Sequence, residues 1–219
     1  MWCIGSLTPE YRQRMYNLID LYHQPYNPKQ PVVCVDEKSK QLLACLRPTL
    51  PLKPGAVSKE DSEYERRGTR NIFVAVEPKG AWRFAQVTRR RCKADFVAFI
   101  ECLLTTHYAQ AETVHLVLDN LNIHFAKVFV DVLGQRKANR LLKRLVFHYT
   151  PKHGSWLNLA EVEISVLSRQ CLNRRIPTEA ELKSEIEAWQ VERNTQRTTI
   201  NWKLTKQAID KKLGRHYVA

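Results

Sequence analysis

The sequence predicts an α/β fold, a mixed sheet with helices packed on it and further helices towards the C-terminal end. Three observations carry this. Apolar runs too short for helices recur at residues 32–36, 113–119 and 145–149, as buried strands do. Between them lie stretches with the i, i+3, i+4, i+7 apolar spacing of a buried helix face. The order runs from strands in a meander to alternating helix and strand, which implies a sheet that is antiparallel first and then extended by β-α-β units.

The elements follow in order. A helix is expected over about Pro9 to Tyr22, with Thr8 as cap, Pro9 in the first turn and Tyr11, Met15, Leu18, Ile19 and Tyr22 on one face. A Pro-rich break from Pro25 to Pro31 precedes the strand Val32-Val33-Cys34-Val35-Asp36, with Gln41 to Leu46 as a partner strand. Residues 48–70, Pro-rich and then charged, read as an exposed loop. Asn71–Glu77 and Ala81–Thr88 flank Pro78-Lys79-Gly80, a hairpin signal. Phe96, Phe99, Ile100, Leu103 and Leu104 mark one helix, and Phe125, Val128, Phe129, Val132 and Leu133 a second. The strands Thr113–Asp119 and Leu145–Tyr149 alternate with them, and a third helix is expected from about Ser155 to Leu172. Thr178-Glu179-Ala180-Glu181 is a capping box that opens a C-terminal helix, and residues 205–214 form a short basic one.

Composition narrows the function. With 44% hydrophobic and 26% charged residues over 219 positions, the chain is globular rather than disordered. A net charge of +13 points to a polyanionic partner, nucleic acid first. No apolar run is long enough for a membrane span and no signal peptide precedes the first helix, so a cytoplasmic setting is expected. The six cysteines are scattered without CxxC or zinc spacing, so neither disulfide framework nor structural zinc is expected. Cys34 and Cys102 read as core residues.

Chemistry concentrates where two apolar strands end in carboxylates, at Asp36 and Asp119. On adjacent parallel strands these ends lie about 5 Å apart. Two such carboxylates repel unless a cation lies between them. Magnesium accepts an oxygen shell of this kind and can serve phosphodiester chemistry in pairs. A third carboxylate is expected from the helix after Ser155. Against the apolar stripe Leu157, Ala160, Ile164, Leu167 and Cys171, Glu161 lies about 90° to one side and Glu163 about 70° to the other, so helical geometry leaves both open. On a continuous strand Glu37 points to the face opposite Asp36.

Four blocks occur in sequence: Val35-Asp36-Glu37-Lys38-Ser39, Arg66-Arg67-Gly68-Thr69-Arg70-Asn71, Leu118-Asp119-Asn120-Leu121-Asn122-Ile123-His124, and Tyr149-Thr150-Pro151-Lys152-His153-Gly154-Ser155-Trp156-Leu157-Asn158. Together they closely resemble the catalytic domain of mariner-related bacterial insertion-sequence transposases, the DDE superfamily endonucleases. The resemblance is strong over about residues 30–172 and looser over the C-terminal helices. It implies a ribonuclease H-like fold with a mixed five-stranded sheet. The chain then divides into an N-terminal helix and linker (1–30), the catalytic domain (31–175) and a C-terminal helical extension (176–219). It implies a triad of Asp36, Asp119 and Glu161 that binds two Mg2+ ions, with Mn2+ as substitute. The final carboxylate of the family follows Ser-Trp-Leu-Asn by three residues, which lands on Glu161 and leaves Glu163 structural or peripheral.

The activity implied is DNA transposition: cutting the ends of an insertion sequence and joining the 3′-hydroxyl to target DNA by two-metal phosphoryl transfer. The partners are double-stranded DNA and a second copy of the chain, as a homodimer on DNA, with no membrane. Arg66, Arg67, Arg70, Arg89, Arg90, Arg91 and Lys152 are candidate phosphate contacts. Asn120, Asn122 and His124 either touch DNA or order the loop after Asp119. Trp82 and Trp156 read as packing residues. Members of the family usually carry an N-terminal helix-turn-helix region, and the thirty or so residues before Asp36 have no room for one, so weak discrimination of end sequences is expected. The competing functions are an inactive DNA-binding remnant and a stand-alone ribonuclease H-like nuclease.

Overall fold

The computed structural model describes residues 7–47, 53–55, 57 and 61–218. Five strands form one sheet in the order β3-β2-β1-β4-β5: β1 is Val32–Cys45, β2 Tyr64–Glu77, β3 Trp82–Thr88, β4 Val114–Leu118 and β5 Leu145–Tyr149. β1, β2 and β3 make an antiparallel meander, and β4 and β5 add to it parallel to β1. This is the mixed sheet the element order predicts. The helices are α1 (Pro9–His23), α2 (Lys93–Cys102), α3 (Ala126–Leu133), α4 (Gln135–Leu142), α5 (Ala160–Gln170), α6 (Glu179–Thr195) and α7 (Lys206–Leu213).

Alternation along the strands sends side chains to two cores. Val33, Val35, Phe73, Ala75, Leu116 and Leu118 face α2, α3 and α4, where Phe96, Phe99 and Phe129 are fully buried. On the other face Cys34, Val76 and Val117 meet Met15, Leu18 and Ile19 of α1 and Ile209 of α7. Further along that face Leu42, Ile72 and Val74 meet Leu167 of α5 and Leu182, Ile186 and Trp189 of α6. Thr8 caps α1 by accepting the Tyr11 N–H at 3.2 Å, and Thr178 caps α6 by accepting the Glu181 N–H at 3.1 Å, as the sequence predicts.

Several expectations need correction. Gln41–Leu46 is not a separate strand: β1 runs unbroken from Val32 to Cys45, with an irregularity between Gln41 and Leu43. The charged end of the expected loop is strand, because residues 64–70 pair with residues 40–45 as a two-stranded ribbon whose side chains are mostly exposed. Most of residues 48–60 lies outside the described residues. A helix that the periodicity missed, α4, joins α3 to β5 and buries only Ala138 and Leu141. The third helix begins later than expected, after a 3-10 turn at Ser155–Leu157, and α5 stops at Gln170. Cys34 is fully buried, whereas Cys102 is only half-buried, and the five described cysteines are free thiols. Trp156 is not a core residue. It is 39% exposed and stacks on Trp202 with ring centres 6.2 Å apart.

Candidate active site

The site is built where Asp36 lies beside the end of β4; β1 does not end at Asp36 as expected, since Asp36 is its fifth residue and the strand continues to Cys45. In their parallel register Cys34 pairs with Val117. The pairing stops there; Asp36 and Asp119 each follow two residues on, and Asp36 feels the charge of Asp119. Asp119, one residue past β4, turns Oδ1 to His124, while strand alternation turns Asp36, like Cys34, towards the face that carries α1. α5 arrives there because Asn158, fully buried, is tied to β1. Its side-chain N–H donates to the Val35 carbonyl at 2.9 Å and lies 3.5 Å from Asp36 Oδ2, while its Oδ1 accepts the Ala160 N–H at 3.2 Å. The Asn158 carbonyl then accepts the Glu161 N–H at 3.1 Å. The motif Ser-Trp-Leu-Asn thus opens α5 against β1, with Leu157 buried and its carbonyl accepting the Tyr22 hydroxyl at 2.7 Å. Glu161 is exposed in the first turn of α5.

Helical geometry left Glu161 and Glu163 open; packing separates them. Glu163 is 1% exposed and forms ion pairs with Arg83 of β3 at 3.1 Å and Arg193 of α6 at 3.0 Å. It fastens α5 to the sheet and to α6 and is committed to that role.

The two aspartates sit in opposite electrostatic settings. Burial is the main cause that pushes the Asp36 carboxyl up to about 7; the charges of Glu37, Asp119 and Glu161 add to it and the Glu37 N–H opposes it. Burial also works against charge on Asp119, but hydrogen bonds from His124 and the Leu121 N–H outweigh it and hold Asp119 below the ordinary carboxylate value. His124 is fully buried. Burial disfavours its charged form, yet bonds to Asp119 and Glu37 raise it to about 9. Its two ring nitrogens lie 2.7 Å from Asp119 Oδ1 and 2.7 Å from Glu37 Oε1. Glu37 does point away from Asp36, as strand alternation predicts, and ends on this imidazole.

Comparison with protein families matches residues 31–183 to the DDE superfamily endonuclease model. The chain belongs to this family. Its fold is that of solved mariner transposase structures. The Mos1 paired-end complex with Mn superposes with a TM-score of 0.53 at 14% identity, covering 90% of this chain and 61% of the other. The Mos1 paired-end complex with Mg gives 0.53 at 15% identity, covering 99% and 63%. The Mos1 strand transfer complex gives 0.53 at 13%, covering 90% and 61%. The DDE endonuclease chain therefore spans under two thirds of the length of these proteins, with which it shares a ribonuclease H-like sheet. Comparison with curated protein sequences gives no match.

The residues of the endonuclease fit a divalent cation by chemistry. Asp36, Asp119 and Glu161 offer only hard carboxylate oxygens, and negative neighbours help raise Asp36, a strain that a cation relieves. The expectation that the three carboxylates converge as a ready-made cluster is not met. Among the described residues no group of three or more His, Cys, Asp and Glu closes into a metal site by itself. Asp36 feels the charge of both other residues, while Asp119 turns Oδ1 towards His124.

The candidate DNA contacts divide. Asn120 and Lys152 line a cleft of about 650 Å3, together with Glu10, Tyr11 and Arg14 of α1 and His153. Arg14, which sequence reasoning missed, donates to Asn120 Oδ1 at 3.1 Å. Its link to the site depends on how α1 docks, which no local pattern encodes. Asn122 is exposed, and Arg91, also exposed, lies within electrostatic reach of Asp119. Arg90 is exposed, and Arg89 stands 3.9 Å from Glu179. On the ribbon, Arg66 lies over the Tyr64 ring, Arg67 pairs with Glu65 at 2.8 Å, and Arg70 is held by Glu179. His124 is a correction: with no exposed surface and both ring nitrogens bonded to carboxylates, it presents nothing to DNA. It orders the loop instead.

Proposed function

We propose that this endonuclease is the catalytic domain of a DNA transposase, residues 31–175, flanked by an N-terminal helix and a C-terminal helical extension. It cuts DNA at the ends of an insertion sequence and joins the freed 3′-hydroxyl to target DNA, acting as a homodimer on double-stranded DNA in the cytoplasm. The observation that carries the reading is that Asp36, within β1, feels the charges of Asp119, directly after β4, and of Glu161, whose helix Asn158 ties to β1. No helix among the described residues is long and apolar enough to cross a membrane, in keeping with a DNA-directed role.

Asp36, Asp119 and Glu161 would hold Mg2+, or Mn2+ in its place, and when bound such ions neutralise charge at the scissile phosphate and its leaving oxygen. Asn158 fixes the height of α5 against β1, so that Glu161 stays level with Asp36. Lys152 and Arg14 place positive charge in the cleft and Arg91 acts on Asp119, and Arg66, Arg67, Arg70, Arg89 and Arg90 extend the positive charge along the ribbon and the β3–α2 connection. Cleavage and joining are both in-line displacements at phosphorus, the first by water and the second by the 3′-hydroxyl, so one set of side chains serves both. The test is incubation with supercoiled plasmid and Mn2+, with and without EDTA. Nicked or linear product in Mn2+ alone supports the reading. DNA binding without any cut strand in either condition leaves a binding remnant as the better account.

A further inference from the structure

Glu37 and His124 belong to none of the three carboxylates above, yet each is almost wholly buried beside them. The Glu37 side chain is 2% exposed and the His124 side chain fully buried. His124 sits five residues after Asp119. The chain returns there through a turn in which the His124 N–H donates to the Leu121 carbonyl at 3.0 Å. The ring packs on Phe96 at 4.7 Å, and the His124 carbonyl accepts the Tyr149 hydroxyl at 3.0 Å. Phe96 thus holds the ring against the core, and the ring Nδ1 also lies 3.3 Å from the Asp119 backbone carbonyl.

Charged carboxylates only accept hydrogen bonds. An imidazole with a carboxylate oxygen 2.7 Å from each nitrogen therefore donates from both. On Asp119, Oδ1 also accepts the Leu121 N–H at 3.0 Å. Oδ1 of this carboxylate thus takes two donors, and among the described residues no hydrogen bond reaches Oδ2. Asp119 is 35% exposed on its side chain, so part of this carboxylate stays open to solvent. Glu37 closes the arrangement. It follows Asp36 directly on β1 and points to the opposite face, so one strand supplies both a site carboxylate and the anchor that holds the other carboxylate's partner.

We propose that His124 is a positioning residue that locks Asp119 into presenting a single oxygen, Oδ2, to a divalent cation, and that Glu37 fixes the imidazole from behind. This rests on the reading of Asp119 as a cation-binding carboxylate. A partner of this kind orients a ligand and tunes its basicity, and losing it typically costs about 10- to 100-fold in metal affinity.

The experiment uses the full chain bound to a DNA duplex, with Mn2+ titrated by calorimetry and by electron paramagnetic resonance. DNA affinity in EDTA is measured alongside. Wild type should bind Mn2+, and His124→Ala should bind it at least tenfold more weakly with DNA affinity in EDTA unchanged. His124→Asn places an amide donor where Nδ1 stands and should recover most of the loss. His124→Gln aims its donor at Glu37 instead and should recover less. Because His124→Ala leaves two buried carboxylates facing each other and its fold is at risk, the pair His124→Asn with Glu37→Gln provides a second variant. It keeps the donor to Asp119, removes the buried charge behind it and should bind Mn2+ within about threefold of His124→Asn. Unchanged Mn2+ affinity in His124→Ala, or equal affinities in the Asn and Gln variants, would overturn the proposal while leaving the reading of the site intact. Absence of Mn2+ binding by wild type would overturn both. Loss of DNA affinity in EDTA with Mn2+ affinity intact would return His124 to a DNA-binding role.

Discussion

Replacing Asp36 by Asn should stabilise the metal-free protein, and the size of the effect follows from the site. The folded chain holds the Asp36 proton up to about 7 against an ordinary value of 3.8. Below 3.8 both states are protonated and Asp36 contributes nothing to the difference between wild type and variant. Between about 4 and about 7 the unfolded chain releases the proton and the folded chain keeps it, so wild-type stability falls with rising pH by about 1.4 kcal/mol per pH unit. Above about 7 the loss reaches a plateau of about 4 kcal/mol, an upper limit because Asp36 retains some solvent contact. Asn carries no such cost. Asp36→Asn should therefore melt on the order of 10 °C higher than wild type at pH 8 in EDTA, with the gap closing towards pH 4. Mg2+ with DNA should raise the wild-type melting temperature and narrow the gap, because the cation binds only the folded site. The assay is dye or calorimetric melting of both proteins from pH 4 to 8. His124 also loses its contribution as pH rises, through about 9, but it is common to both proteins and cancels in their difference. Parallel curves with no pH-dependent gap would refute the reasoning, since they would mean that Asp36 ionises in the fold as easily as in water.

Other outcomes follow from the same geometry. Glu163→Gln leaves Arg83 and Arg193 without their buried carboxylate and should cost about 3 kcal/mol or more in urea unfolding, whereas exposed Glu161→Gln should leave stability within about 0.5 kcal/mol and abolish plasmid cutting. Asn158→Ala removes the bond to the Val35 carbonyl and should cost about 1–2 kcal/mol, with a fall in cleavage larger than its fall in DNA affinity. DNA affinity should drop at least tenfold between 50 and 200 mM salt, and Arg89, Arg90 and Arg91 changed together to Ala should flatten that slope in a filter-binding or anisotropy titration.

The parts legible in the sequence are those set by local chemistry. Thr8 and Thr178 announce helix starts because a hydroxyl before an apolar-periodic run has an orphan N–H to satisfy, and both do so. β4 is a short apolar run buried within the sheet, whereas β5, of similar composition, is its half-exposed edge strand, and Asp36 and Asp119 come near each other because β1 and β4 are parallel neighbours. The stretch 64–70 was illegible as strand because its own side chains are almost all exposed and show no alternation. α4 was missed because it buries only two apolar side chains among charged ones. His124 was legible as a polar residue near the site, with DNA contact and loop order both left open. Its burial depends on Glu37, eighty-seven positions away, and on the ring of Phe96, and a loop sequence carries no trace of either. The choice between Glu161 and Glu163 was likewise beyond helical geometry, because the guanidiniums that claim Glu163 come from β3 and α6.

The central claim is that Asp36, Asp119 and Glu161 together hold a divalent cation. The measurement that tests it most directly is an anomalous difference map, recorded at the manganese edge, from crystals of the chain with a DNA duplex and Mn2+. The account predicts a peak shared by Asp36 and Asp119 Oδ2, with Glu161 completing the protein ligands, and no peak at Glu163. A map with no peak within coordination distance of Asp36 and Asp119, or with manganese ligated by Glu163, would contradict it.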